Sequence, residues 1–194
     1  MGVGVGILGG AFDPPHNGHV ALARRAVRHF GLDRLLVRVV ADPGHRSVVA
    51  DADDRLALTR LAFADVPGAE VALDPFARTV DSLEALGLPD PVFLIGADEL
   101  ARFGTWKDPD RVLELARLGV AGRPGVADPL VEEAASALPR PGRVEVFEFP
   151  PLPISSSEIR ERVARGETLD GLVPPAVAAA IERLGLYRRP ARID

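Results

Sequence analysis

Short apolar runs alternate with helix-length amphipathic stretches along nearly the whole chain, and that alternation is the strongest constraint on its fold. Strands joined through helices run parallel, because a parallel crossover needs a dozen or more residues and usually contains a helix. Residues 3–8, 35–40, 70–73, 92–95, 118–121 and 144–149 read as strands. Residues 19–30, 53–64, 79–86, 109–116 and 129–138 read as helices, a further helix opens at 96–99, and 158–164 and 175–184 close the chain. The run 35–40 is almost wholly Leu and Val, which suits a strand covered on both faces, with Arg38 as the exception. No repeat and no long linker divides the chain. The expectation is one α/β domain over residues 1–194, a Rossmann-like parallel sheet flanked by helices.

The net charge of -5 argues against broad nucleic-acid binding, which needs a basic face. The absence of cysteine excludes disulfides, cysteine nucleophiles and thiolate metal sites. The apolar start, residues 1–12, lacks a basic leader region, and no stretch approaches the length of a membrane span. A cytoplasmic protein with neither nucleic-acid nor membrane partners is expected.

Residues 4–9, Gly-Val-Gly-Ile-Leu-Gly, formally match a dinucleotide-binding fingerprint. That fingerprint needs its glycines after the strand, opening a helix, with an acidic residue about 20 positions on. Here the glycines lie in the strand and a proline-stiffened loop follows, so the match is rejected.

Two other segments carry more weight. Gly9-Gly10-Ala11-Phe12-Asp13-Pro14-Pro15-His16-Asn17-Gly18-His19 places two imidazoles at i, i+3 where a loop becomes a helix at the carboxyl edge of a strand. Open α/β sheets bind ligands there, and helix N-termini favour anions. Gly18 leaves room for close approach. Ser155-Ser156-Ser157-Glu158-Ile159-Arg160 places three hydroxyls at a second helix start with a guanidinium one turn in. Ser155 with Glu158 also reads as a capping box, which leaves Ser156, Ser157 and Arg160 unexplained. Two histidines with no settled third ligand make a poor metal site, so no protein-held metal is expected.

In order, these segments, the Gly96-Ala97-Asp98 turn, Trp106, the Arg123-Pro124-Gly125 turn and the ending Leu172-Val173-Pro174 through Leu186-Tyr187 resemble the nicotinate (nicotinamide) mononucleotide adenylyltransferases, within the wider HIGH-motif nucleotidyltransferases. The resemblance covers nearly the whole chain. It implies adenylyl transfer from ATP to a pyridine mononucleotide, with nicotinate mononucleotide giving the deamido-NAD dinucleotide and pyrophosphate in NAD biosynthesis. It implies that His16, His19 and Arg160 act on the phosphates. Gly9, Gly10, Phe12, Gly18, Gly96, Asp98, Ser155 and Ser156 would line the ATP site. His45, Arg46, Thr79, Trp106 and Lys107 would face the acceptor, with the indole of Trp106 against the pyridine ring. It implies Mg²⁺ as cofactor and a homodimer or larger assembly.

Two departures fall on the acceptor side. Pro43-Gly44-His45-Arg46 stands where the family has Pro-His-Lys, and Ala77-Arg78-Thr79 where it has Ser-aromatic-Thr. Nicotinamide mononucleotide, a phosphonate or another phosphorylated acceptor, and CTP as donor, therefore remain alternatives, as does a nucleotide-binding protein without activity. An acceptor phosphate is already anionic at neutral pH, so in-line attack on the α-phosphorus needs no general base. Alignment and charge stabilisation would supply catalysis.

Overall fold

A computed structural model describes residues 4–44, 48–122, 129–150 and 152–188. Six strands, β1 (Val5–Gly10), β2 (Arg34–Val40), β3 (Ala69–Asp74), β4 (Val92–Gly96), β5 (Arg117–Gly122) and β6 (Val144–Glu148), form one sheet in the order β3-β2-β1-β4-β5-β6. Every pairing is parallel. The helices are α1 (Asn17–Phe30), α2 (Ala52–Phe63), α3 (Thr79–Leu86), α4 (Ala97–Leu100), α5 (Pro109–Leu115), α6 (Pro129–Ser136), α7 (Ser156–Arg165) and α8 (Pro175–Leu184). Among the described residues, no helix is long and apolar enough to cross a membrane.

Period-two alternation in the strands feeds two cores. Leu35, Val37 and Val39 of β2 join Leu8, Leu94, Ala23 of α1, Leu58 of α2, Ile159 of α7 and Ile181 of α8 on one face. Leu36 joins Ile7, Phe93, Leu83 of α3, Val112 of α5 and Val131 of α6 on the other. Covering both faces explains why the strands read as nearly continuous apolar runs.

The sheet departs from the expected boundaries at one informative place. β1 begins at Val5 and runs through Gly10, because Gly9 and Gly10 keep register with Arg38 and Val39 of β2. On its other side β1 pairs with β4 only at Gly6–Val92 and Ile7–Phe93. Beyond those rungs the strands part, and the exposed backbone of Gly9 lies at the opening. Strand order reverses between β1 and β4, so this is the switch-point crevice where open α/β sheets take ligands.

Candidate active site

The loop from β1 to α1 is held from every side. Asp13 is 4% exposed and collects the bonds. Its Oδ2 accepts from the Val49 N–H at 2.7 Å. Its Oδ1 accepts from the Ala50 N–H at 3.1 Å and from the Tyr187 hydroxyl at 2.8 Å. The following peptide bond to Pro14 is cis. Arg55, 1% exposed, donates Nε to the Ala50 carbonyl, Nη1 to those of Ala11 and Val40, and Nη2 to that of Ala41. These donations give the buried guanidinium hydrogen-bond partners on four backbone carbonyls. Burial, followed by the Asp13 carboxylate, pushes the Tyr187 phenol far above its ordinary range, so it stays a donor.

The second motif reaches this loop across the sequence. The Ser156 hydroxyl donates to the Pro14 carbonyl at 2.8 Å. Arg160 Nη1 donates to the Asp13 carbonyl at 2.7 Å and stands 3.7 Å from its Oδ2, while Nη2 donates to the Ser157 hydroxyl at 3.2 Å. The two segments therefore form one constellation, with Ser156 and Arg160 bracing the histidine loop directly. The capping box is only half made. Ser155 accepts from the Glu158 N–H at 3.1 Å, but the Glu158 carboxylate pairs instead with Arg162, one turn on, at 3.1 Å.

His16 and His19 stack with ring centroids 3.7 Å apart and planes at 29°. The His16 backbone N–H donates to His19 Nδ1 at 3.2 Å, so in the neutral ring the proton sits on Nε2, as a donor. His16 is 8% exposed and its Nδ1 is buried without a partner. Burial lowers its pKa from 6.5 to about 4, so the ring is neutral at physiological pH. The room that Gly18 leaves is occupied by this ring: a Cβ there would lie 3.0 Å from His16 Cε1 and Nδ1. Asn17 ties the start of α1 to the segment after α7, its N–H donating to the Leu172 carbonyl at 2.9 Å and its amide to that of Gly171 at 2.8 Å.

Phe12 is a supporting residue. It is 3% exposed, packs edge-on to His19 and Phe63, and takes φ +49°, which its burial in the core compensates. A Cβ on Gly10 would lie 3.1 Å from its ring. Gly96 caps α4 at the end of β4 with open space where a Cβ would stand, and Asp98 is exposed in the first turn.

On the other face, Trp106 is half-buried rather than openly exposed. It packs against Phe93 at 6.1 Å and 90°, and Phe103 at 5.2 Å and 52°. Lys107 pairs with Asp81 of α3 at 2.7 Å, joining the Trp106 segment to the helix that Thr79 opens. Arg78 precedes that helix, exposed. His45, Arg46 and the 123–125 turn lie outside the described residues. Sequence reading missed Asp13, Arg55 and Tyr187 as the framework. The one available signal was an acid placed between Phe12 and two prolines in a loop otherwise short of partners.

A family model described as cytidylyltransferase-like matches residues 7–162. A probable nicotinate-nucleotide adenylyltransferase of Bordetella avium is 40% identical over 194 residues, spanning 95% of this chain and 98% of its own. Its counterpart in a Roseiflexus species is 39% identical over 196 residues, with the same two coverages of 95% and 98%. Among solved structures, the nicotinic acid mononucleotide adenylyltransferase of Plasmodium falciparum, complexed with NaAD, matches with a TM-score of 0.77 over 96% of this chain and 98% of that one. At 16% identity that likeness shows the fold alone.

Proposed function

The chain belongs to the cytidylyltransferase-like family and, within it, to the nicotinate-nucleotide adenylyltransferases, and we propose that it transfers the adenylyl group of ATP to nicotinate mononucleotide. The observation that carries this reading is the joining of two distant motifs on one loop at the switch point: Ser156 and Arg160 hold the backbone that aims His16 and His19.

The reaction forms a bond between the acceptor's 5′-phosphate oxygen and the α-phosphorus of ATP. It breaks the bond from that phosphorus to the bridging oxygen, which leaves with pyrophosphate. No proton has to be removed from an anionic phosphate, so the site needs donors and not a base. His19 supplies Nε2–H, its tautomer fixed by the His16 N–H. His16 supplies a neutral imidazole, which donates to a phosphoryl oxygen through the ring nitrogen that carries its proton. Arg160 adds positive charge beside the loop, and Ser155, Ser156, Gly18 and the start of α1 complete the phosphate side. Gly9, Gly10, Gly96 and Asp98 line the crevice for the rest of ATP. Thr79, Trp106 and Lys107 face the acceptor, and His45 and Arg46 are proposed to act on it too.

Mg²⁺ is proposed to enter as part of the substrate, MgATP. Its ligands are then largely phosphate oxygens and water, and the chain needs no dedicated cage. Among the described residues no three His, Asp or Glu side chains gather into one.

Pyrophosphate release tests the reading, with Mg²⁺ present and ATP or CTP paired with nicotinate or nicotinamide mononucleotide. Turnover is expected with ATP and nicotinate mononucleotide. Folded protein that releases no pyrophosphate across the panel would refute it.

A further inference from the structure

Arg38 interrupts β2 with a guanidinium whose Nε finds no hydrogen-bond partner in the fold. Its side chain is 18% exposed, and its Nε is buried with no hydrogen-bond partner. The nearest acid is Asp74, whose Oδ2 stands 3.9 Å from that Nε, beyond hydrogen-bond range. Asp74 is already engaged, accepting from the Phe76 N–H at 3.1 Å and from the Ser82 hydroxyl. The chain shows elsewhere how it satisfies a buried arginine: Arg55 donates to four carbonyls. Burying a guanidinium N–H without a hydrogen-bond partner is costly, and native folds rarely leave one so. The Nε–H is thus a donor open to an anion brought by a ligand.

Its position names the ligand's end. Arg38 is in register with Gly9 of β1, and strand alternation puts it on the same face as Leu36, Ile7 and Phe93. Its Nε leans toward Asp74, which pairs with Val40, two residues nearer the carboxyl edge. On that face Gly9 presents no side chain, and the ring of Phe93 begins 3.5 Å from where a Cβ would be. Trp106 packs on Phe93. Arg38, Gly9, Phe93 and Trp106 thus run along one face of the crevice. His16 caps α1 and His19 lies in its first turn, and the core residues of that helix pack on the opposite face of the sheet. An acceptor whose phosphate meets the histidines has its ring end, not its phosphate, left for Arg38.

We propose that Arg38 selects the acceptor, its guanidinium taking the pyridine carboxylate of nicotinate mononucleotide while Trp106 covers the ring. The inference rests on the function proposed above. Arg78, the cation at one of the two departures from the family pattern, is exposed at the start of α3. A carboxylate satisfies a planar fork through two parallel hydrogen bonds, whereas a carboxamide brings no charge and turns one donor against another.

The test compares wild type, Arg38→Met and Arg38→Lys with saturating MgATP and either nicotinate or nicotinamide mononucleotide. Both kcat/KM and equilibrium binding of each mononucleotide are read. Arg38→Met should lower the nicotinate-over-nicotinamide ratio by roughly 10- to 100-fold, the scale for hydrogen bonds to a charged group. KM for ATP should move less than about threefold, on the same scale. Arg38→Lys keeps the charge and loses the fork, so it should lower the ratio by a smaller factor, and it carries the test if the Met variant does not fold. A ratio unchanged in both variants, or equal losses for both mononucleotides, overturns the role of Arg38 and leaves adenylyl transfer standing. A wild type that turns over neither mononucleotide overturns the proposed function and this inference together.

Discussion

His16 gives a stability test that needs no substrate. In the folded protein its pKa is lowered from 6.5 to about 4 by burial, and its Nδ1 has no partner. The folded state therefore binds fewer protons than the unfolded chain between those two values. Its contribution is fully present above pH 6.5, is lost as pH falls through that window, and is gone below about 4. At pH 5 the unfolded imidazole is almost fully protonated and the folded one hardly at all, which lowers stability by about 2 kcal/mol relative to pH 8. At pH 6 the loss is about 1 kcal/mol. Urea unfolding of wild type and His16→Asn at pH 8, 6 and 5 isolates the effect, because the other titrating groups are common to both. The stability difference between the two proteins should shift by about 2 kcal/mol in the variant's favour on going from pH 8 to 5. MgATP should reduce that shift, since a phosphate beside the ring stabilises the protonated form. A difference constant to within about 0.5 kcal/mol would show that His16 is not held neutral by burial.

Three further outcomes are expected. His19→Ala should lower kcat about 10²- to 10³-fold, the cost of one transition-state donor, and near-normal turnover would remove His19 from the chemistry. Trp106→Ala should raise KM for the mononucleotide with KM for ATP little changed, since the indole packs on Phe93 beyond the phosphate loop; equal losses for both substrates would assign it to folding. Tyr187→Phe deletes the 2.8 Å bond to Asp13, and thermal or urea unfolding should show a loss of about 1–3 kcal/mol, the cost of a buried hydrogen bond to a charged group. Unchanged stability would mean that the two backbone N–H groups suffice for Asp13.

The parallel sheet was legible because burial on both faces writes long apolar runs, and each run of the sequence became a strand. The end of β1 was harder to place. Gly9 and Gly10 carry no hydropathy signal, and only their register with Arg38 and Val39 makes them strand. The histidine and serine segments stood out as motifs. Their physical connection did not, because Ser156 and Arg160 act on the carbonyls of Pro14 and Asp13, and backbone acceptors are invisible in a sequence. Glu158 illustrates competition between local partners: spacing allows it to complete a capping box, yet Arg162 one turn on takes its carboxylate. Trp106 stands among small and polar neighbours in the sequence, yet Phe93 and Phe103 half-bury it in the fold. Arg38 looked like a blemish in an apolar strand, and only its lack of partners in the fold gives it meaning.

The most direct test follows the α-phosphorus itself. Wild-type protein is incubated with ATP labelled at the α-phosphate, Mg²⁺ and nicotinate mononucleotide, and the products are separated. The label should appear in the dinucleotide, in equal amount to unlabelled pyrophosphate, and only when the mononucleotide is present. Label recovered in AMP or ADP, or pyrophosphate formed without the acceptor, would contradict adenylyl transfer at this site.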